Sequence, residues 1–226
     1  MHVLIVSKTQ MSNAICVGAI TEHGRSVRLL TDSGYNQPLD TDYEIKEVWE
    51  ITYREREHTI APHTEDILVL TRKYIGISEL KMIDLITQVN APIWRGSPNS
   101  LFGGLLNWTS NGSGYINKTN GVPNQSVGFW VPDEDLEKKI FHGTRYEYPN
   151  MFGYGKSIKY VGLEPPVEVI PAGSLVRLSL ARWWDTNGTT EERCSLQLSG
   201  WYDVEQQAAV PEAPVFDNDE PDDLPF

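Results

Sequence analysis

SLVRLSLARWW, residues 174–184, decides how the rest of the chain is read. In an extended strand, side chains alternate between faces, so Val176, Leu178 and Leu180 share one side while Arg177, Ser179, Ala181 and Trp183 share the other. The pattern returns in CSLQLSGWY, residues 194–202, where Cys194, Leu196 and Leu198 oppose Ser195, Gln197, Ser199 and Trp201. Two successive alternating strands predict a hairpin with one face for a core and one face for another purpose. That second face carries a cation, hydroxyls, an amide and two indoles. Aromatic stacking holds a single-stranded base with roughly 1–3 kcal/mol, which makes Arg177, Ser179, Trp183, Gln197 and Trp201 candidate nucleic-acid contacts. The same indoles, with Trp184, suit equally well the packing of a junction between two domains. Arg182 and Trp184 have the inward parity at the strand end.

Working outward from the hairpin, short β-branched or alternating runs at 3–7, 14–20, 25–30, 48–57 and 67–74 predict a five-stranded meander. An amphipathic helix is expected over 78–89, with Leu80, Ile83, Ile86 and Val89 on one stripe and Ser78 as its N-cap. Residues 96–126 then turn rich in Gly, Asn and Ser, with Lys118 the only charge and Phe102, Trp108 and Tyr115 as aromatics. A loop of this length inside a domain is usually functional or mobile. A second short helix is expected at PDEDLEKKI, residues 132–140, where Pro132 and acids open the segment and Lys138 and Lys139 close it. Strands follow at 145–148, 157–163, 174–184 and 194–202.

The fold class expected is therefore mainly β, with two tandem OB-like small β-barrels, one or two short helices and a disordered acidic C-terminal tail. The organisation expected is a first barrel plus helix over 1–91, an aromatic loop over 92–126, a second barrel over 127–204 and a tail over 205–226. In WEITYRERE, residues 49–57, Trp49, Ile51 and Tyr53 face the first core, which leaves Arg54 and Arg56 outside as candidate phosphate contacts beside Glu50. A solvated strand face is the plainer reading of those two arginines. Arg25 and Arg28 have opposite parity, so only one of them meets a given ligand without a bulge. Trp108 is the stacking candidate from the loop.

Charge is unevenly spread. The net charge is −12, but from Asp203 onward there are eight acids and no Lys or Arg, which leaves 23 acids against 19 basic residues in the body. Nonspecific nucleic-acid binding needs clustered cations, so any such site here is a local groove. The N-terminus carries no secretion signal, and no run is long enough to cross a bilayer; a cytoplasmic, membrane-free protein is expected. Cys16 and Cys194 lie in separate apolar segments and read as buried small hydrophobes. His58 and His63 lack companions at metal-ligand spacing, and phosphate-loop, nucleophile-elbow and nuclease patterns are missing. No metal, no cofactor and no catalysis are expected.

GRSVRLL (24–30), VRLSLARWW (176–184) and CSLQLSGWY (194–202) resemble the bacterial dual OB-containing domain family over roughly residues 1–202. The resemblance implies two OB-folds in tandem and a nucleic-acid-binding role, often linked to conflict and mobile-element systems. The chain ends in DDLPF, residues 222–226, after acids at Asp217, Asp219 and Glu220. This resembles the acidic tip of bacterial single-stranded DNA-binding proteins, which implies recruitment of replication, recombination and repair enzymes. Chemically, Leu224, Pro225 and Phe226 suit an apolar pocket, the terminal carboxylate an Arg or Lys, and Asp222 and Asp223 a basic rim. The expected function is a noncatalytic single-stranded nucleic-acid binder, with DNA as the first choice of ligand, that recruits DNA-processing enzymes through this tip. The alternative is a decoy that imitates the tip without binding DNA; a third reading is a small-ligand or modified-nucleotide sensor with its pocket between the barrels.

Overall fold

The structure, a computed structural model, describes residues 1–149, 155–185 and 191–204. Its first half holds β1 (His2–Gln10), β2 (Ile15–Thr21), β3 (Ser26–Leu30), β4 (Glu47–Glu55) and β5 (Asp66–Ile77), close to the positions expected from alternation. The strands close a barrel in the order β1-β2-β3-β5-β4. This corrects the expected meander: β3 pairs with β5 in parallel, and β4 lies between β5 and β1. That circuit is a five-stranded Greek-key barrel, the OB architecture. Val17, Leu29, Ile51 and Ile67, all from alternating strands, fill its interior around Tyr43 and Trp49.

Helix α1 follows at Met82–Gln88, shorter than the expected 78–89. Ser78 does not cap it; the Met82 amide donates instead to Asp203 Oδ2 at 2.9 Å, from far along the chain. Leu80, expected on the apolar stripe, is exposed, whereas Met82 and Ile86 are fully buried.

Residues 93–117 contribute β6 (Ile93–Arg95), a 3-10 turn at Pro98–Gly104, β7 (Asn107–Trp108) and β8 (Gly114–Asn117). Leu101, Phe102 and Ile116 from this stretch sit in the second core. Then come β9 (Val127–Val131), β10 (Leu136–Ile140), β11 (Thr144–Tyr148), β12 (Lys156–Tyr160), β13 (Val169–Ile170), β14 (Val176–Leu180) and β15 (Arg193–Trp201). The helix expected at 132–140 is replaced by β10. Its backbone pairs with β11 and β13, and the Lys138 amide donates to Glu168 O at 2.8 Å, so sheet pairing overrides a charge pattern that would suit a helix.

The pairings of this half repeat the first circuit. β10 pairs β11, β11 pairs β12, β12 pairs β15 in parallel, β15 pairs β14, and β14 pairs β9. Because β9 runs straight on to β10 through residues 132–135, the two together stand where β1 stands in the first barrel, broken once. Trp130, Tyr146, Ile158, Leu178, Leu196 and Leu198 form this interior. The molecule is thus mainly β, with two OB-like barrels.

A third apolar cluster joins them. Leu4, Val6 and Ile20 of the first barrel meet Phe129, Val131, Leu175 and Tyr202 of the second, with Met82 and Ile86 of α1 between. Burying each such side chain is worth about 1.5–3 kcal/mol, so the helix acts as a wedge that fixes one barrel on the other. No helix among the described residues is long and apolar enough to cross a membrane. The tail, 205–226, lies outside the described residues, and with it the tip residues Asp222, Asp223, Leu224, Pro225 and Phe226.

Candidate functional site

The OB architecture presents ligands to strands 2 and 3 and to the loops between strands 1 and 2 and between strands 4 and 5. In the first barrel those parts are Cys16 and Gly18 of β2, Val27 and Arg28 of β3, Met11, and His63 and Glu65 of the β4–β5 loop. All of them line one half-open cavity of about 90 Å³ whose opposite wall is Arg177, Ser179, Gln197 and Ser199 of the β14–β15 hairpin. The second barrel therefore covers the ligand face of the first and leaves a cleft between them.

Register organises the cleft. Gly18 pairs with Arg28, and Arg28 with Asp66, which places all three in one row across β2, β3 and β5. Asp66 is 2% exposed and holds three guanidinium groups: Arg28, Arg56 at 2.9 Å and Arg182 at 3.1 Å. Burial alone would raise its carboxyl, but the charges of Arg28 and then Arg182 override this and keep it below the usual aspartate value. Glu65 spends both oxygens on Ser126, accepting from its amide and its hydroxyl. His63, also 2% exposed, places Nε2 3.1 Å from both Leu180 O and Ala181 O. Burial, and then the charge of Arg182, push this ring down to about 4, so it is neutral near pH 7 and donates from Nε2.

Arg177 is the odd member. It is 5% exposed, donates one long bond from Nη1 to Ser199 Oγ at 3.3 Å, and leaves its buried Nε without a partner. Its guanidinium lies on the β2 backbone, where a Cβ on Gly18 would stand 2.6 Å from Nη2, so any larger residue there would displace the guanidinium from this place.

Among the residues singled out from sequence, Arg177, Ser179 and Gln197 converge in this cleft, and Arg56 reaches it through Asp66. None of the four was expected to face another barrel. Trp183 is half-buried, donates from Nε1 to Ala61 O at 2.8 Å across the barrels, and carries Lys118 Nζ over its ring at 5.1 Å. Trp201 is half-buried against the second core. Trp108 packs on that core under Lys156 Nζ at 4.9 Å. Arg54 is exposed and donates to Asp32 O at 3.1 Å, apart from the others. Arg182, read from parity as inward-facing, is half-exposed, because the strand ends at Leu180 and the alternation lapses.

On the corresponding face of the second barrel Lys139 and Lys159 are exposed and Arg145 between them is half-buried. Pairing aligns Lys139 with Arg145, Arg145 with Lys159, and Lys159 with Gln197, then Gln197 with Ser179, so three cations run across β10, β11 and β12 toward the cleft. Neighbouring strands are about 4.8 Å apart, so the row is continuous. Lys139 is paired with Glu137 at 2.7 Å, while Arg145 donates to the hydroxyls of Ser157 and Ser113. Phe141, on the β10–β11 loop, is exposed. This row was missed from sequence because a helix was expected at its first member.

The two circuits explain a further finding: a family model described as a dual OB-containing domain matches residues 1–201. The chain belongs to that family. No curated protein and no solved structure matches it. The dual OB architecture thus accounts for the fold and for two potential ligand faces, one covered and one bearing the cation row.

Proposed function

We propose that the chain is a noncatalytic binder of single-stranded nucleic acid, DNA in the first place, and that its C-terminal tip recruits DNA-processing enzymes. The family and its two OB barrels support a nucleic-acid or protein-binding role. The observation that carries the finer reading is the row Lys139, Arg145 and Lys159 across β10, β11 and β12, the counterparts of strands 1, 2 and 3 in the second barrel, with exposed Phe141 on the following loop for stacking. Of the hairpin residues, Gln197 continues this row. The recruiting role rests on the sequence of Asp222 to Phe226 alone.

Titration with oligo-dT at low and high salt, followed by tryptophan fluorescence, tests the strand-binding half. Binding should weaken with salt, and replacing Lys139 and Lys159 with Ala should lower both affinity and the salt slope, by roughly 0.7 for each phosphate no longer neutralised. A flat titration refutes it. Removal of residues 224–226 should abolish capture of repair enzymes and leave oligonucleotide binding intact. Capture without any oligonucleotide binding would instead favour the decoy.

A further inference from the structure

We infer that the cleft between the barrels is a built site for one phosphate group, carried by a nucleotide or by the end of a strand, with Arg177 as its principal ligand. The cleft meets the open cation row at Gln197 and Ser179, but the inference rests on Arg177 and does not depend on the lysines of that row.

Charge is the first argument. Three guanidinium groups, of Arg28, Arg177 and Arg182, line the cleft with the carboxylate of Glu65, and Asp66, outside the lining, is bound by Arg28, Arg182 and a fourth guanidinium, of Arg56; His63 is held neutral. Asp66 is shared among three of the arginines, and Glu65 is committed to Ser126. Arg177 makes no ion pair among the described residues and has an unpartnered Nε, although a guanidinium keeps its proton even when buried. A buried, uncompensated cation is costly, and such a group facing a cavity is the expected mark of an absent counterion. The surplus of two positive charges matches a phosphate monoester, which carries about −1.5 to −2 near neutrality, better than a single carboxylate.

Shape and chemistry agree. The cavity of about 90 Å³ has room for several water-sized groups, enough for a phosphate, and its open side leaves a way out for whatever carries the phosphate. Ser179 and Gln197 add uncharged donors on the same wall as Arg177. Gly18 is required for the guanidinium to lie where it does, so the residue opposite is fitted to Arg177.

The full chain in phosphate-free buffer, melted with inorganic phosphate, thymidine 5′-monophosphate or thymidine, provides the test. Phosphate and the monophosphate should raise Tm in a concentration-dependent way and thymidine should not. Arg177→Met should weaken the response at least tenfold, while the unliganded variant melts no lower than the wild type because a buried unpaired charge is gone. Arg182→Gln, at a half-exposed position, should weaken it by a smaller factor and guards against a folding defect. Tighter binding of 5′-phosphorylated than 5′-hydroxyl oligo-dT would assign the group to a strand end; equal binding, with the monophosphate response intact, would assign it to a free nucleotide. No response to any phosphate-bearing probe, or a response that survives Arg177→Met, overturns the inference. The Lys139→Ala and Lys159→Ala variants should respond to phosphate as the wild type does, which separates this site from the strand-binding face.

Discussion

His63 shows how a single residue links the two barrels to pH. Its ring sits beneath the β14 end, donating to Leu180 O and Ala181 O, in a place where burial and Arg182 oppose its protonation. The folded value of about 4 lies below the ordinary 6.5, so the unfolded chain takes up a proton that the folded one refuses. Stability from this residue is therefore complete above about pH 6.5 and falls as pH drops toward about 4, by up to about 3 kcal/mol. Urea melts across this interval should show the loss in the wild type and a flatter profile in His63→Gln. Asp66 acts lower on the scale: its depressed carboxyl contributes above the usual aspartate value, and that contribution is lost as pH falls through the folded one. The sequence offered His63 only as an unsupported metal ligand. Its partners lie more than a hundred residues away, and nothing local announces them.

At the scale of elements, alternation was a dependable guide to strands and their inward faces. Val176, Leu178, Leu180, Cys194, Leu196 and Leu198 are buried as their parity requires. The segment at 132–140 misled because acids before lysines suit a helix dipole, while only Leu136 in β10 is buried and backbone pairing decides the rest. Helix α1 was legible, but its ends were not, since the cap comes from Asp203. Ile86, fully buried in the cluster between barrels, carries the wedge. Ile86→Ala should cost about 2–5 kcal/mol in urea unfolding, the range for a deleted core side chain that leaves a cavity. Leu80→Ala, on the exposed turn before it, should change stability little.

For the whole molecule the question is whether two barrels behave as one. The apolar seam, the Trp183 bond to Ala61, the Tyr202 hydroxyl bond to Val6 O and the Arg182 pair with Asp66 all cross between them. With that much shared surface, neither barrel keeps its buried face when the other opens, so unfolding should be a single cooperative transition. Six of the seven tryptophans lie beyond residue 92, so fluorescence reports mainly the second barrel while far-UV circular dichroism reports both. The two urea curves should coincide. Separate midpoints would mean that the seam does not couple the barrels.

From sequence alone came the strand-rich class, the doubling into two barrels and the core-facing side of the strands in 49–57, 174–184 and 194–202, because a period of two is a local property of extended backbone. What tertiary structure decided is the fate of the other side. Arg177, Ser179 and Gln197 do leave their own core, yet what they meet is the opposite barrel rather than solvent. The partners that make the cleft, Arg28 beside Gly18 and Asp66, come together only through the parallel pairing of β3 with β5 and the docking of one barrel on the other. Parity tells which way a side chain points; exposure depends on what the distant chain brings to that place, and no local pattern encodes it.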